Sequence, residues 1–134
     1  AGQGGDGESA MIAAGQWALG RLPAGGVRLD PHRTGQSTDR AVAARIASAL
    51  GADLGTLEET RTCGDMTDPS TCRMSVPALL AIAVPAVRGD RATVRVYAWY
   101  AQDDPRSPVA KASWEVRLHR TGAGWVVDGE RRLD

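Results

Sequence analysis

The fold class is most clearly indicated by Ala110-Lys-Ala-Ser-Trp-Glu-Val-Arg-Leu-His-Arg120, a stretch near the end of the chain in which apolar and polar residues alternate. Its apolar positions are Ala112, Trp114, Val116 and Leu118, and its polar positions are Lys111, Ser113, Glu115, Arg117 and His119. Successive side chains of a strand point to opposite faces of a sheet. The stretch therefore predicts a strand that packs on a core through one face and meets water through the other.

The same period of two extends over the second half of the chain, which we interpret as a series of strands to its end. The predicted strands are Leu57–Cys63, a partner that starts at Cys72–Met74, Leu79–Val87, Ala92–Gln102, Ala110–Arg120 and Trp125–Arg131. Turns or loops are predicted at Arg88–Asp90, Asp103–Pro108 and Thr121–Gly124. Because proline removes a ladder donor, Pro77 and Pro85 predict a bend, a bulge or a sheet edge near the third strand.

The first half of the chain carries apolar residues at helical spacing and predicts two helices. The first is expected from Glu8 to Leu22, and the second ends at Gly51. The candidate caps are Asp6 or Ser9 for the first helix and Ser37 or Thr38 for the second. The buried stripe of the second helix is expected at Val42, Ile46, Ala49 and Leu50. A short strand at Val27–Asp30 and a polar turn at Pro31–Ser37 are predicted between the helices.

Helices followed by a run of strands indicate an α+β fold. We predict a curved, cone-like antiparallel sheet of about four to six strands, packed against two helices from the N-terminal half. A chain of 134 residues suits a single domain. We place that domain at residues 8–134, after a flexible glycine-rich spacer at residues 1–7.

Composition excludes several classes of partner and site. Sixteen basic and sixteen acidic residues are mixed along the chain, so the concentrated positive field that nucleic acid requires is not expected. No apolar run approaches the roughly 20 residues of a membrane-spanning helix, so no transmembrane segment is predicted. The two His and two Cys lack the paired spacing of a zinc site, and Asp65-Met-Thr-Asp68 lacks the later Glu of a calcium loop. We therefore predict neither a metal nor a cofactor.

The two cysteines are interpreted as a disulfide. Cys63 and Cys72 flank a segment rich in Gly, Asp, Pro and Ser, which is typical of a tight reversal, so a hairpin stapled at its base is the simple interpretation. Such bonds persist in oxidising compartments. Together with the spacer-like start Ala1-Gly-Gln-Gly-Gly-Asp-Gly7, this predicts a secreted, periplasmic or lipid-anchored protein whose signal segment has been removed. The alternatives are two free buried thiols in place of the disulfide, and a cloning scar or an internal linker in place of a processed start.

The end of the chain carries a resemblance. In Trp114-Glu-Val-Arg-Leu-His-Arg-Thr-Gly-Ala-Gly-Trp125-Val-Val, an alternating strand leads to a Gly-Trp pair that opens the last strand. This ending, with the order helix, strand, helix and meander before it, resembles the NTF2-like (cystatin-like α+β) superfamily. The resemblance implies a pocket between the concave sheet face and the helices. In that superfamily such a pocket serves small apolar ligands or, in some members, acid and base catalysis by an Asp or His opposite a Tyr.

The candidate binding residues lie on one predicted strand, Ala92–Gln102. Arg95, Tyr97 and Trp99 share one of its faces, while Tyr100 shares the other with Val94, Val96 and Ala98. An aromatic pair on the polar face predicts a pocket lining or an exposed patch. The acid-base candidates are Asp30, His32, Tyr97, Tyr100, His119 and Asp128. His119 and His32 are expected to be solvated, and Asp128 is expected to form a surface salt bridge with an Arg.

Three functions follow from these patterns. We favour a non-enzymatic extracytoplasmic module that binds a small apolar ligand or a protein through Arg95, Tyr97, Trp99 and Tyr100. The first alternative is a small NTF2-like isomerase or dehydratase that uses an Asp or His with Tyr100 in an apolar pocket. The second is a structural domain that forms homodimers across its exposed sheet face.

Overall fold

The computed structural model of the protein describes residues 5–35 and 40–134, with side chains from residue 7 onward. The helices are α1 (Gly5–Leu19), α2 (Arg40–Leu50) and α3 (Leu57–Thr60). The strands are β1 (Val27–Leu29), β2 (Asp53–Leu54), β3 (Arg61–Cys63), β4 (Cys72–Met74), β5 (Ala78–Ile82), β6 (Ala86–Arg88), β7 (Arg91–Ala101), β8 (Val109–Thr121) and β9 (Gly124–Arg132). The predicted caps Ser37 and Thr38, the side chain of Asp6 and residues 1–4 of the predicted spacer lie outside the described residues.

The strands form one open mixed sheet and one separate hairpin. Among the described residues, the sheet has seven strands in the order β2-β1-β5-β7-β8-β9, with β6 also paired to β7, while β3 and β4 pair with each other. The predicted α+β class, with helices in the N-terminal half, is confirmed. The sheet is mixed rather than antiparallel throughout, because β1 runs parallel to both β2 and β5. The crossover that the parallel pair β1 and β2 requires is made through α2.

One face of the sheet, here called the inner face, carries the main core. Along β7 and β8 it presents the predicted apolar positions, and α1 and α2 supply small and aliphatic side chains to the same cluster. The fully buried residues include Ala10, Ala14, Ala18, Leu29, Ile46, Leu80, Ile82, Val94, Val96, Ala98, Val116 and Leu118. Trp17 of α1 meets Trp114 of β8 edge to face, with ring centroids 5.6 Å apart.

Small residues on α1 bring that helix close to the sheet. Gly15 lies where α1, α2 and β5 meet, and a Cβ there would be 2.8 Å from Ile82 Cδ1 and 2.9 Å from Leu50 Cδ1. These distances are shorter than van der Waals contact, so only glycine fits without repacking. The helix-covered side of the sheet is therefore closely filled along this line.

The opposite face of the sheet, the outer face, carries a second and smaller core at one end. Leu79 and Ala81 of β5 and Trp99 of β7 are buried there together with Leu57 of α3. Met74, Tyr97 and Val109 pack against this group and are partly buried. The β3–β4 hairpin and α3 thus cover one end of the outer face, while the other end remains open.

Four sequence predictions were wrong in detail. Leu79–Val87 is not one strand, because the chain leaves the sheet at residues 83–85, and this break at Pro85 separates β5 from β6. Leu57–Cys63 is not one strand, because Thr56 and Glu59 form a capping box that starts the helical turn α3 and leaves only Arg61–Cys63 as strand. Ala49 is exposed, since the buried stripe of α2 is Ala43, Ile46, Ala47 and Leu50. The helix α1 begins at Gly5 and ends at Leu19, three residues earlier at each end than predicted. Within residues 5–35 and 40–134, each helix is too short or too polar to span a bilayer.

Candidate functional site

The structure separates the four predicted binding residues. Arg95, Tyr97 and Trp99 lie on the outer face of β7, opposite Glu115, Ser113 and Lys111 of β8. Tyr100 lies on the inner face, where it is half-buried against the main core. Tyr100 therefore does not share a surface with the other three, as the alternation of a strand requires.

Trp99 is largely covered rather than exposed. Only 8% of its surface meets solvent, and it packs with Leu57, Leu79 and Ala81 beneath the hairpin. Of the two alternatives for this face, an exposed aromatic patch is wrong for Trp99. Trp99 lines a cleft on this face instead.

The cleft beside Trp99, here called the Trp99 cleft, has a volume of about 190 Å³. It is lined by Arg61, Cys63, Met66, Pro69, Cys72, Trp99, Val109 and Lys111. Its floor and walls are mostly apolar, and two cations stand at its rim. The Lys111 Nζ atom lies 5.5 Å from the centroid of the Trp99 ring, within the range of a cation–π contact. The site therefore suits an apolar group that carries a polar or anionic neighbour.

The disulfide forms one wall of this cleft. Cys63 and Cys72 are direct cross-strand partners of the β3–β4 hairpin, and their Sγ atoms are bonded. The prediction of a stapled hairpin is confirmed. Met66, at the tip of the hairpin, is 70% exposed and is thus an apolar side chain held at the mouth of the cleft. An exposed methionine next to an apolar cleft is typical of adaptable binding surfaces.

The hairpin loop is ordered by its own polar side chains. The Asp65 carboxylate accepts hydrogen bonds from the backbone N–H and the hydroxyl of Thr67, and these lower the pKa of Asp65. Asp68 accepts equivalent bonds from the backbone N–H and hydroxyl of Ser70. Both carboxylates are therefore engaged in turn formation. Groups of three or more His, Cys, Asp or Glu placed to hold a metal ion do not occur in the described part of the chain.

A buried carboxylate anchors α3 and the loop after β1. Asp30 is completely buried, and its Oδ1 accepts from the backbone N–H groups of His32 and Arg33 at 2.8 and 3.3 Å. Its Oδ2 accepts from the Arg33 guanidinium and from the N–H of Leu57, both at 2.9 Å. All four hydrogen bonds serve to join the loop after β1 to the start of α3. Asp30 thus has a structural role in place of the acid-base role considered for it.

The remaining acid-base candidates lie on or near the surface. Asp128 bonds to Arg91 and to His119 Nδ1, each at 3.1 Å, which agrees with the predicted salt bridge to an Arg. His119 is partly exposed on the outer face, and His32 is exposed in the turn after β1. The Tyr100 side chain is on the inner face, so the sheet separates it from His119 and Asp128.

Sequence reasoning missed most of the cleft lining. Arg61, Met66 and Lys111 come from β3, the hairpin tip and β8, and their approach to Trp99 depends on how the hairpin folds over the outer face. The signal that was present is the cysteine pair, which placed a stapled hairpin somewhere in the fold. Nothing in the alternation pattern indicated which face that hairpin covers.

No protein-family model, no curated protein sequence and no solved structure matches this chain. The likeness of its ending to the NTF2-like superfamily therefore stays a prediction from the sequence.

Proposed function

We propose that the protein is a non-enzymatic binding module that receives an apolar group in the Trp99 cleft, beside Arg95 and Tyr97 on the outer face. The observation that carries this proposal is the cleft itself, an apolar recess walled by a disulfide and rimmed by Arg61 and Lys111. Recesses that combine apolar walls with a few polar groups are the usual form of ligand sites. The apolar group belongs to a small molecule or to a side chain of a partner protein.

Pre-organisation supports a binding role. The disulfide, the hydrogen-bonded hairpin loop and the buried Trp99 ring hold the cleft open without a ligand, so little order has to be gained on binding. Packing of the Trp99 ring in the smaller core holds its exposed part rigid, and tryptophan is among the residues that contribute most to binding energy. This rigid arrangement favours ligand binding over catalysis.

The acid-base alternative has less support. The Asp30 oxygens already accept four hydrogen bonds, and Tyr100 is separated from His119 and Asp128 by the sheet. A catalytic pair needs a carboxylate or imidazole within hydrogen-bond reach of the reacting group. The described residues place none of these candidates in the Trp99 cleft.

We also propose that the protein works outside the cytoplasm. Its one disulfide lies partly open to solvent at the hairpin, with Cys63 half-buried. A bond in that position persists where the surroundings are oxidising.

The cleft is tested by a titration of the ¹⁵N-labelled protein with N-acetyl-leucinamide and with N-acetyl-glutamine amide at millimolar concentration. We expect shifts of the Trp99 indole and of the amides of Arg61, Cys63 and Lys111 with the leucine compound alone. Equal shifts with both compounds, or none with either, would contradict the proposal. Trp125→Phe serves as the matched variant, because Trp125 lies outside the cleft and its loss is expected to leave the binding unchanged.

A further inference from the structure

The open end of the outer face is rich in arginine. At this end four strands, β6 to β9, lie side by side. The charged residues that they present on the outer face are here called the arginine patch. Its cations are Arg88, Arg91, Arg95, Arg117 and Arg131, and its carboxylates are Glu115 and Asp128. With His119 left out of the count, five cations against two carboxylates leave an excess of three positive charges. The whole chain has no net charge, so this excess is local.

Two guanidinium groups of the patch are unpaired within the part of the chain that the structure describes. Glu115 pairs with Arg95 at 3.9 Å and with Arg131 at 3.3 Å, and Asp128 pairs with Arg91. Among the described residues, the side chains of Arg88 and Arg117 make neither an ion pair nor a hydrogen bond. An unpaired guanidinium presents its full fork of donors to a bound oxyanion.

Arg117 lies opposite Gly129 of β9. A Cβ at position 129 would lie 2.5 Å from Arg117 Nη2, so the guanidinium lies against the Gly129 backbone, and a side chain at position 129 would displace it. A register shift of β9 at the same point places Asp128 beside Arg91. Bulges of this kind commonly re-aim side chains at functional positions. The result is a cleft of about 380 Å³ lined by Arg91, Thr93, Arg117 and Asp128, among others.

Two cations of the arginine patch also repel each other. Arg88 and Arg91 face each other directly across the β6–β7 hairpin, and like charges in that relation disfavour strand pairing. The cost falls if an anion binds between them. A second cleft, lined in part by Arg88, Arg91 and Thr93, lies at this point and shares Arg91 and Thr93 with the first.

We infer that the arginine patch binds an extended, carboxylate-rich segment of a partner protein, an inference that rests on the proposed binding function and names its partner. Side chains on one face of a strand repeat every ~7 Å, so an extended peptide with an acidic residue at every second position matches the rows of the patch. Arg91, Arg95 and Trp99 follow one another on β7 at intervals of four residues. A partner segment that lies along β7 therefore places an apolar side chain in the Trp99 cleft and its carboxylates against the arginine patch.

The fixed carboxylates argue against a continuous polyanion. Glu115 and Asp128 interrupt the positive field, so the evenly charged backbone of a nucleic acid or an anionic membrane surface meets repulsion at both points. A peptide avoids this because it can place a serine hydroxyl or a backbone N–H opposite each carboxylate. The acidic peptide is the occupant that the charges favour.

The test is fluorescence polarisation with a labelled nine-residue peptide that has leucine at its first position, glutamate at its fifth, seventh and ninth, and serine elsewhere. We expect saturable binding that weakens as salt rises, because exposed charges are screened within about 8 Å at physiological ionic strength. Arg88→Gln and Arg117→Gln should each weaken the affinity about fivefold. Arg106→Gln is the matched control, because Arg106 lies in the loop at the far end of β7 and β8.

Two altered peptides separate the inference from the proposed function. If glutamine in place of all three glutamates leaves the affinity unchanged, the arginine patch is not the binding surface and the inference is overturned. If serine in place of the leucine leaves it unchanged, the Trp99 cleft is not used and the proposed function fails instead. Equal affinities of Arg117→Gln and Arg106→Gln would also overturn the inference. Tighter binding of a 20-nucleotide DNA strand or of phosphatidylserine vesicles would overturn it in favour of a different partner.

Discussion

Asp30→Asn should lower the free energy of unfolding more than any single surface substitution. The Asp30 side chain is completely buried, and each of its oxygens accepts two hydrogen bonds. An asparagine keeps one accepting oxygen and turns an NH₂ group toward two donors. Two bonds to a charged acceptor are lost at about 1.5 to 3 kcal/mol each, so the free energy of unfolding should fall by about 3 to 6 kcal/mol.

The assay is urea denaturation at neutral pH, followed by far-ultraviolet circular dichroism. Glu58→Gln is the matched control, because Glu58 also bonds to the Arg33 guanidinium but is 66% exposed. Exposed pairs contribute little, so the control should unfold at nearly the same urea concentration as the native protein. A loss below about 1 kcal/mol for Asp30→Asn, or equal effects of the two variants, would refute the assignment of Asp30 as the anchor of α3.

Three further predictions concern stability. Replacement of both Cys63 and Cys72 by serine should lower the free energy of unfolding by about 2.6 kcal/mol, the loop-entropy value for a sequence separation of 9, as measured by urea denaturation; a loss near zero would mean that other contacts hold the hairpin. Gly15→Ala should lower the free energy of unfolding by about 1 to 3 kcal/mol through overpacking. Gly7→Ala in the same helix should not destabilise the protein, because a Cβ there would make an ordinary contact with Pro85 Cγ at 3.4 Å. Thermal melts of the two variants make the comparison. Hydrogen bonds from the backbone N–H and the hydroxyl of Thr56 lower the pKa of Glu59 below its ordinary 4.5. The contribution of Glu59 to the free energy of unfolding is therefore full above pH 4.5 and is lost as the pH falls through the lowered pKa. In acid titrations, Glu59→Gln should lose less stability below pH 4.5 than the native protein does, and an unchanged profile would contradict this role.

Only part of the candidate site could be predicted from the sequence. The shared face of Arg95, Tyr97 and Trp99 followed from the period of two and is present in the structure. The placement of Tyr100 on the opposite face followed from the same period, and its grouping with the binding residues was not supported by the structure. Burial of Trp99 was not visible, because it depends on a hairpin that lies at least 25 residues earlier in the chain.

The sequence by itself determined the elements whose patterns are local. Alternation placed β7 and β8 almost to the residue, helical spacing and Gly51 placed the end of α2, and the cysteine spacing placed a stapled hairpin. These features depend on neighbours one to four residues apart, and such neighbours are read directly from the chain.

Only the tertiary structure decided what those elements face. The parallel pairing of β1 with β5, the position of the hairpin over Trp99 and the hydrogen bond from the Leu57 N–H to Asp30 each join residues far apart in sequence. Which face of a sheet a distant segment covers is settled by the burial of apolar area and the satisfaction of polar groups across the whole molecule. Local periodicity carries no information about that choice, since both faces of a strand follow the same period of two.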